Sequence, residues 1–172
     1  MPTKVFPYLI RILATCSVAF NLQGAIELPA TFGDHMVLQR DKPVPVWGWS
    51  DAGEEVKVSF GGKTASAKAG KDGRWEVRLP AMKASGQARE LTVEGSEKII
   101  IKDVLVGEVW VCSGQSNMAW SVKRSNNAAE EIASAQHPKI RFFGVKRTAA
   151  QMPQQDVKGA WAVCDSQSVA NF

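Results

Sequence analysis

Between Ile26 and about Lys102, apolar and polar residues alternate with a period of two. That spacing turns one face of a β-strand to a core and the other to water. Val44, Val46 and Trp47-Gly48-Trp49 make the first run. Pro43 and Pro45 predict that it lies at a sheet edge, because proline gives no N–H to a ladder. Val56, Val58 and Phe60 then alternate with Glu55, Lys57 and Ser59, and Ala65, Ala67 and Ala69 with Thr64, Ser66 and Lys68. Trp75, Val77 and Leu79 alternate with Arg74, Glu76 and Arg78, and Leu91 and Val93 with Thr92 and Glu94. Gly61-Gly62, Asp72-Gly73 and Gly95-Ser96 punctuate the runs as turns, and Asp72-Gly73 predicts a hairpin between its flanking strands. Short strands at this spacing predict an antiparallel β-sandwich over residues 25–103.

The pattern changes after Asp103. Val104 to Cys112 is almost continuously apolar, which predicts a strand covered on both faces, as in a parallel sheet. Asn127 and Glu130 have capping-box spacing, and Ala128, Ile132 and Ala135 share a short helical face that His137-Pro138 ends. Ile140 to Val145 reads as the next strand, Gln151 to Lys158 as a polar loop, and Gly159 to Cys164 as another apolar run. Strand, serine-rich loop, helix and strand are the opening of an α/β domain over residues 104–172. An open parallel sheet needs helices on both faces, and this stretch holds one clear helix. The α/β domain is therefore expected to be incomplete, and the chain to be part of something longer.

Composition adds bounds. The 172 residues suit one ordinary domain or two small ones, and 45% hydrophobic with 22% charged residues is the make-up of a soluble globular protein. Residues 1–24 read as a cleaved export signal: Lys4 and Arg11 precede or enter an apolar run from Ile12 to Phe20, followed by Gly24 and Ala25. The run is too short to span a bilayer comfortably. Of 21 basic and 17 acidic residues, Lys4 and Arg11 lie in this leader, so 19 face 17 beyond it, a balance of +2. Neither that charge nor any basic cluster interleaved with aromatics points to nucleic acid. Export leaves Cys112 and Cys164, free to pair in an oxidising compartment or, for Cys112, to serve as a small buried hydrophobe. No zinc-like Cys/His spacing, P-loop or dinucleotide-binding glycine motif occurs, so no metal or cofactor is expected.

The chemistry concentrates in Ser113-Gly114-Gln115-Ser116-Asn117-Met118, at the carboxyl end of the apolar strand. Gly114 two residues before Ser116 allows a sharp bend, and reactive groups gather at strand carboxyl ends in open α/β sheets. Ser116 is thus a candidate nucleophile whose own N–H faces an oxyanion; the bland alternative is a turn whose serine and asparagine cap backbone groups. The pattern is not the Gly-X-Ser-X-Gly elbow, since Met118 stands at the last glycine. A serine hydroxyl needs a base, and the chain has two histidines. His137 is expected at the far end of the helix, and His35 has Asp34 beside it, on the opposite face of a strand. Neither is expected to be the base. Of the six tryptophans, Trp47, Trp49 and Trp75 offer themselves as sugar-stacking platforms or core, Trp110 as core, and Trp120 as a pocket wall.

Two stretches resemble the sialate O-acetylesterase family of the SGNH-hydrolase superfamily: Phe32 to Trp49, similar to the entry of that family's β-domain, and Gly107 to Met118, similar to its nucleophile block. The resemblance implies an antiparallel β-sandwich followed by the start of a three-layer, flavodoxin-like α/β hydrolase domain. It implies an enzyme that removes acetyl esters from sugars, with Ser116 as nucleophile and backbone oxyanion donor and with Gln115, Asn117 and Trp120 beside the substrate. The family's later oxyanion donors and Asp-X-X-His block have no counterpart here, and Ser168 to Phe172 is similar to the start of its next helix. The chain alone is accordingly expected to be inactive. A glycan-binding β-module and a decayed gene product remain as alternatives.

Overall fold

In the computed structural model, residues 24–172 are described. The expected export signal and Cys16 lie almost wholly outside them.

The period-two runs become strands. β1 (Val37–Gln39), β2 (Val44–Trp49), β3 (Glu55–Phe60), β4 (Lys63–Lys68), β5 (Arg74–Leu79), β6 (Ser85–Glu94) and β7 (Lys98–Gly107) follow in order. Five of them form one sheet in the order β1-β7-β6-β3-β4, and β2 pairs with β5. The sheet is mixed rather than antiparallel throughout, because β1 runs parallel to β7, with Val37 opposite Leu105. The apolar positions of β2 and β5 meet those of β3, β6 and β7 in one core around Val46, Val58, Phe60, Trp75, Leu79, Leu91 and Val104. Pro45 is explained by the place of β2: in a two-stranded pair both strands are edges, and Pro45 lies opposite Arg78, while Pro43 falls just before the strand.

The turn signals hold at Gly61-Gly62 and at Gly95-Ser96, which joins the antiparallel β6 and β7, and the hairpin expected at Asp72-Gly73 fails. Gly61 and Gly62 both have positive φ, 55° and 76°, and join β3 to β4 by the two-residue turn that suits strand twist. Asp72-Gly73 also turns the chain, with the Gly73 N–H bonded to the Gly70 carbonyl at 3.0 Å and Gly73 at φ 77°. It does not close a hairpin, because β4 pairs with β3 while β5 pairs with β2. The bond from Ser50 N–H to the Gly73 carbonyl, 2.9 Å, draws the turn to the β2 side. Gly48 is required by contact rather than by φ: a Cβ there would lie 2.3 Å from the Glu27 carbonyl oxygen and 2.8 Å from the Trp75 ring.

Beyond Asp103 the structure departs further from the pattern. β7 begins at Lys98, runs through position 103 and ends at Gly107, so Val104, Leu105 and Val106 are buried in the first sheet. Residues 108–115 have no strand partner. Trp110 and Cys112, expected inside, are exposed, Trp110 at 81%. Two short 3-10 turns, Ser116–Ala119 and Val122–Arg124, lead to the helix α1 (Ala128–Ser134). The capping box does not form: Asn127 is left-handed, at φ 56°, and its side chain caps nothing. His137 and Pro138 fall inside β8 (Gln136–Phe143), which pairs antiparallel with β9 (Trp161–Asp165). The parallel partners expected in this region are absent among the described residues. Cys164 is buried in β9 and unpaired. The last element, Val169–Asn171, is a 3-10 turn. Among the described residues the protein is thus mostly strands with one α-helix.

Candidate active site

β7 delivers the chain to the serine segment, and β1 holds the exit. The Gln39 side chain accepts from Val109 N–H at 2.9 Å and donates to Glu108 at 3.2 Å, while Arg40 N–H donates to the Gly107 carbonyl at 2.9 Å. From there to Trp120 every residue is exposed. Ser116 opens its 3-10 turn with Gln115 at the cap; Met118 N–H bonds back to the Gln115 carbonyl at 3.0 Å, and Trp120 N–H to the Asn117 carbonyl at 3.2 Å. Gln115, Ser116, Asn117 and Trp120 are therefore brought onto one exposed turn, and Ser113 lies just before it, also exposed. Gly114 is not left-handed; what its missing Cβ clears is the Met118 side chain, whose Cγ would lie 2.6 Å away. The far side of the turn is pinned by the last residues: Val122 N–H donates to the Phe172 carbonyl at 2.8 Å and Lys123 to Asn171 at 2.7 Å. The Phe172 ring stacks on Phe142 at 4.1 Å.

Among the described residues the Ser116 hydroxyl has no hydrogen-bond partner, and neither histidine reaches it. His137 is exposed on β8, opposite Cys164. His35 is engaged elsewhere, with Nδ1 2.7 Å from Asp103 Oδ2. Its partner is thus Asp103, across the sheet, rather than its neighbour Asp34. The same Asp103 carboxylate receives Arg141 through Nη1 at 2.5 Å and Nη2 at 3.1 Å. The Arg141 hydrogen bond holds the Asp103 carboxyl below the usual carboxylate range, with His35 helping and partial burial opposing. Sequence reasoning missed this cluster. Its signal was present: Asp103 is the acidic break in the apolar run Ile99 to Val106, and it reads as a boundary where it is an anchor.

The tryptophans sort differently from expectation. Trp75 is core, 2% exposed, so its ring faces no sugar. Trp47 is half-buried, edge-on to Phe32 at 4.7 Å, and lines a small cleft of about 80 Å³ with Thr31 and Asp156. Neither this cleft nor one of about 310 Å³ along Gln136 to Ile140 includes Ser116. Among the described residues no cluster of three His, Cys, Asp or Glu side chains is placed to hold a metal, and no helix is long and apolar enough to cross a membrane.

No family profile matches the chain. It is similar to curated proteins described as sialate O-acetylesterase. The one from Rattus norvegicus is 33% identical over 92% of this chain and 31% of its own length. The one from Homo sapiens is 33% identical over 89% of this chain and 30% of its own. Among solved structures it is similar to a novel carbohydrate acetylesterase from Xanthomonas citri, with 38% identity and a TM-score of 0.83 over 86% of this chain and 34% of the other. The chain spans about a third of the length of the relatives it matches.

Proposed function

We propose that this chain, a relative of the sialate O-acetylesterases along nine-tenths of its length, is the nucleophile-bearing part of an enzyme that removes acetyl esters from sugars. The observation that carries the reading is Ser116: an unpartnered, exposed hydroxyl on a tight turn, in a chain similar to two differently described kinds of acetylesterase. In this reading residues 25–103 are a β-sandwich and residues 104–172 the opening of an SGNH-type α/β domain. Residues 1–24 direct export.

The chemistry follows from the nucleophile. Ser116 Oγ attacks the acetyl carbonyl while its proton passes to a general base. The carbonyl oxygen gains the negative charge and accepts from the Ser116 backbone N–H, a donor with no helical partner at the start of the turn. The oxyanion collapses, the sugar oxygen leaves with a proton, and acetyl-Ser116 remains. Water then attacks the acetyl carbon, releasing acetate and restoring the hydroxyl. Gln115, Asn117 and the Trp120 ring flank the serine and are assigned to the sugar. No base stands beside Ser116 among the described residues, so the 172 residues by themselves are expected to give no turnover above background.

The test compares hydrolysis of an aryl acetate and of an O-acetylated sugar by this chain and by the complete product of its reading frame, each with a Ser116→Ala control. In a form that turns over, Ser116→Ala is expected to lower kcat by about 10³-fold or more. A rate untouched by Ser116→Ala in that form overturns the assignment. A clear Ser116-dependent rate in the 172-residue chain overturns the view that it lacks a base.

A further inference from the structure

We infer that Asp103, Arg141 and His35 form a positioning lock that fixes the serine-bearing segment on the five-stranded sheet; its functional side rests on the reading of Ser116 as nucleophile.

The need for a lock comes from burial. From Gly107 to Ser134 no residue is buried, α1 included. A segment without core contacts is held by its anchors, and its local opening costs little unless they are strong. One anchor is the β7 exit, where Gln39 grips Glu108 and Val109. Beyond the turn, Val122 and Lys123 bond to Phe172 and Asn171, and Arg141 on β8 ties the chain that follows back to the five-stranded sheet. Arg141 and Asp103 are 38 positions apart, and their contact closes a loop that contains Ser116.

The geometry suits that task. The Arg141 side chain is 4% exposed. Its Nε donates to the Pro138 carbonyl at 2.8 Å, and Nη1 and Nη2 take both oxygens of Asp103. This fork fixes direction as well as distance, which a lysine ammonium does not. His35 adds a third bond to the same carboxylate, from 68 positions away. Asp103 and His35 are both left-handed, at φ 54° and 70°, a conformation held only where surrounding bonds over-determine it. The backbone supplies some: His35 N–H donates to the Lys102 carbonyl at 3.0 Å and Leu105 N–H to the Met36 carbonyl at 3.0 Å. Lys102 N–H donates to the Asp34 carboxylate at 2.7 Å. With both its oxygens on Arg141, Asp103 serves the lock, and His35 acts through Asp103 rather than on substrate.

The test is hydrogen exchange on the full chain, read by peptide, for the wild type, Asp103→Asn and Arg141→Lys. Asparagine keeps the shape and tolerates the left-handed backbone, so Asp103→Asn removes the charge without adding strain. Arg141→Lys keeps the charge and removes the fork. Both are expected to speed exchange across residues 108–135 by about 10- to 100-fold, the effect of a lost charged hydrogen bond on local opening. Peptides from residues 44–60 are expected to be unchanged. Unchanged exchange in 108–135 for both variants overturns the lock, and so does an equal rise in 44–60, which marks a general loss of stability. In a form that turns over an aryl acetate, Arg141→Lys is expected to lower kcat by about 100-fold with KM unchanged. If exchange rises but Ser116→Ala keeps its rate, the lock stands and the nucleophile reading falls.

Discussion

Trp75 and Trp110 show how far a residue's fate depends on what faces it. Trp75 sits in strict alternation, and its strand packs that face into the core, leaving it 2% exposed. Trp110 sits in an apolar run that reads as equally buried, yet nothing among the described residues covers it. Trp75→Ala is expected to cost about 3–5 kcal/mol, the range for emptying a large core site. Trp75→Phe is expected to cost much less, since it also removes an indole N–H that is buried without a partner. Trp110→Ala is expected to stay within about 0.5 kcal/mol. Urea unfolding followed by circular dichroism checks all three, and equal losses for Trp75→Ala and Trp110→Ala would overturn the burial argument. The same logic explains why the exposed turn that carries Ser116 can be read from the sequence and its anchors cannot. A turn is a local word in the sequence, whereas Asp103, Arg141 and His35 meet only after the sheet has formed.

Elements were legible where one strand decides its own environment. The runs that became β2, β3 and β5 keep period two because one face of each meets the shared core. The continuous run from Val104 was misread because its first residues belong to β7 and its last to an unpaired stretch, a division set by where β1 ends opposite Gly107. Asp72-Gly73 was misread for a related reason: a turn signal gives the bend but not which sheet each arm joins. Glu108 to Cys112 has no strand partner, its Val109 N–H bond to Gln39 aside, and exposes Val109, Trp110 and Val111. Such an edge invites pairing with another chain. Val111→Lys is expected to suppress concentration-dependent self-association, read by light scattering, while leaving the circular dichroism spectrum unchanged. Association that persists in Val111→Lys would place the sticky surface elsewhere.

For the whole molecule, the consequence of joining two sheets through one carboxylate is a particular response to acid. The Asp103 carboxyl is held below its ordinary value, chiefly by Arg141 and then by His35. A depressed folded value means that its stabilisation is fully present above the unfolded carboxyl value of about 3.9 and fades as pH falls through that value toward the folded one. Asp41, beside Lys83 and Arg40, and Glu94, beside Lys57 and Lys98, are depressed in the same direction. Those pairs are open to solvent and weaken with salt, whereas the part-buried Arg141 fork is screened less. Between about pH 5 and 3, in about 0.5 M salt, the wild type is expected to lose unfolding midpoint in urea more steeply than Asp103→Asn, which has no charge left to lose there. The loss is expected to appear first in the fluorescence of Trp161, which packs against the core and donates to the Thr31 carbonyl at 2.9 Å, read as the difference between the protein and its Trp161→Phe variant. Parallel pH curves for the wild type and Asp103→Asn would mean that the carboxylate is satisfied equally well in the unfolded chain. The link between the sheet and the serine segment would then rest on the Gln39 bonds to Glu108 and Val109 and on the packing of Trp161.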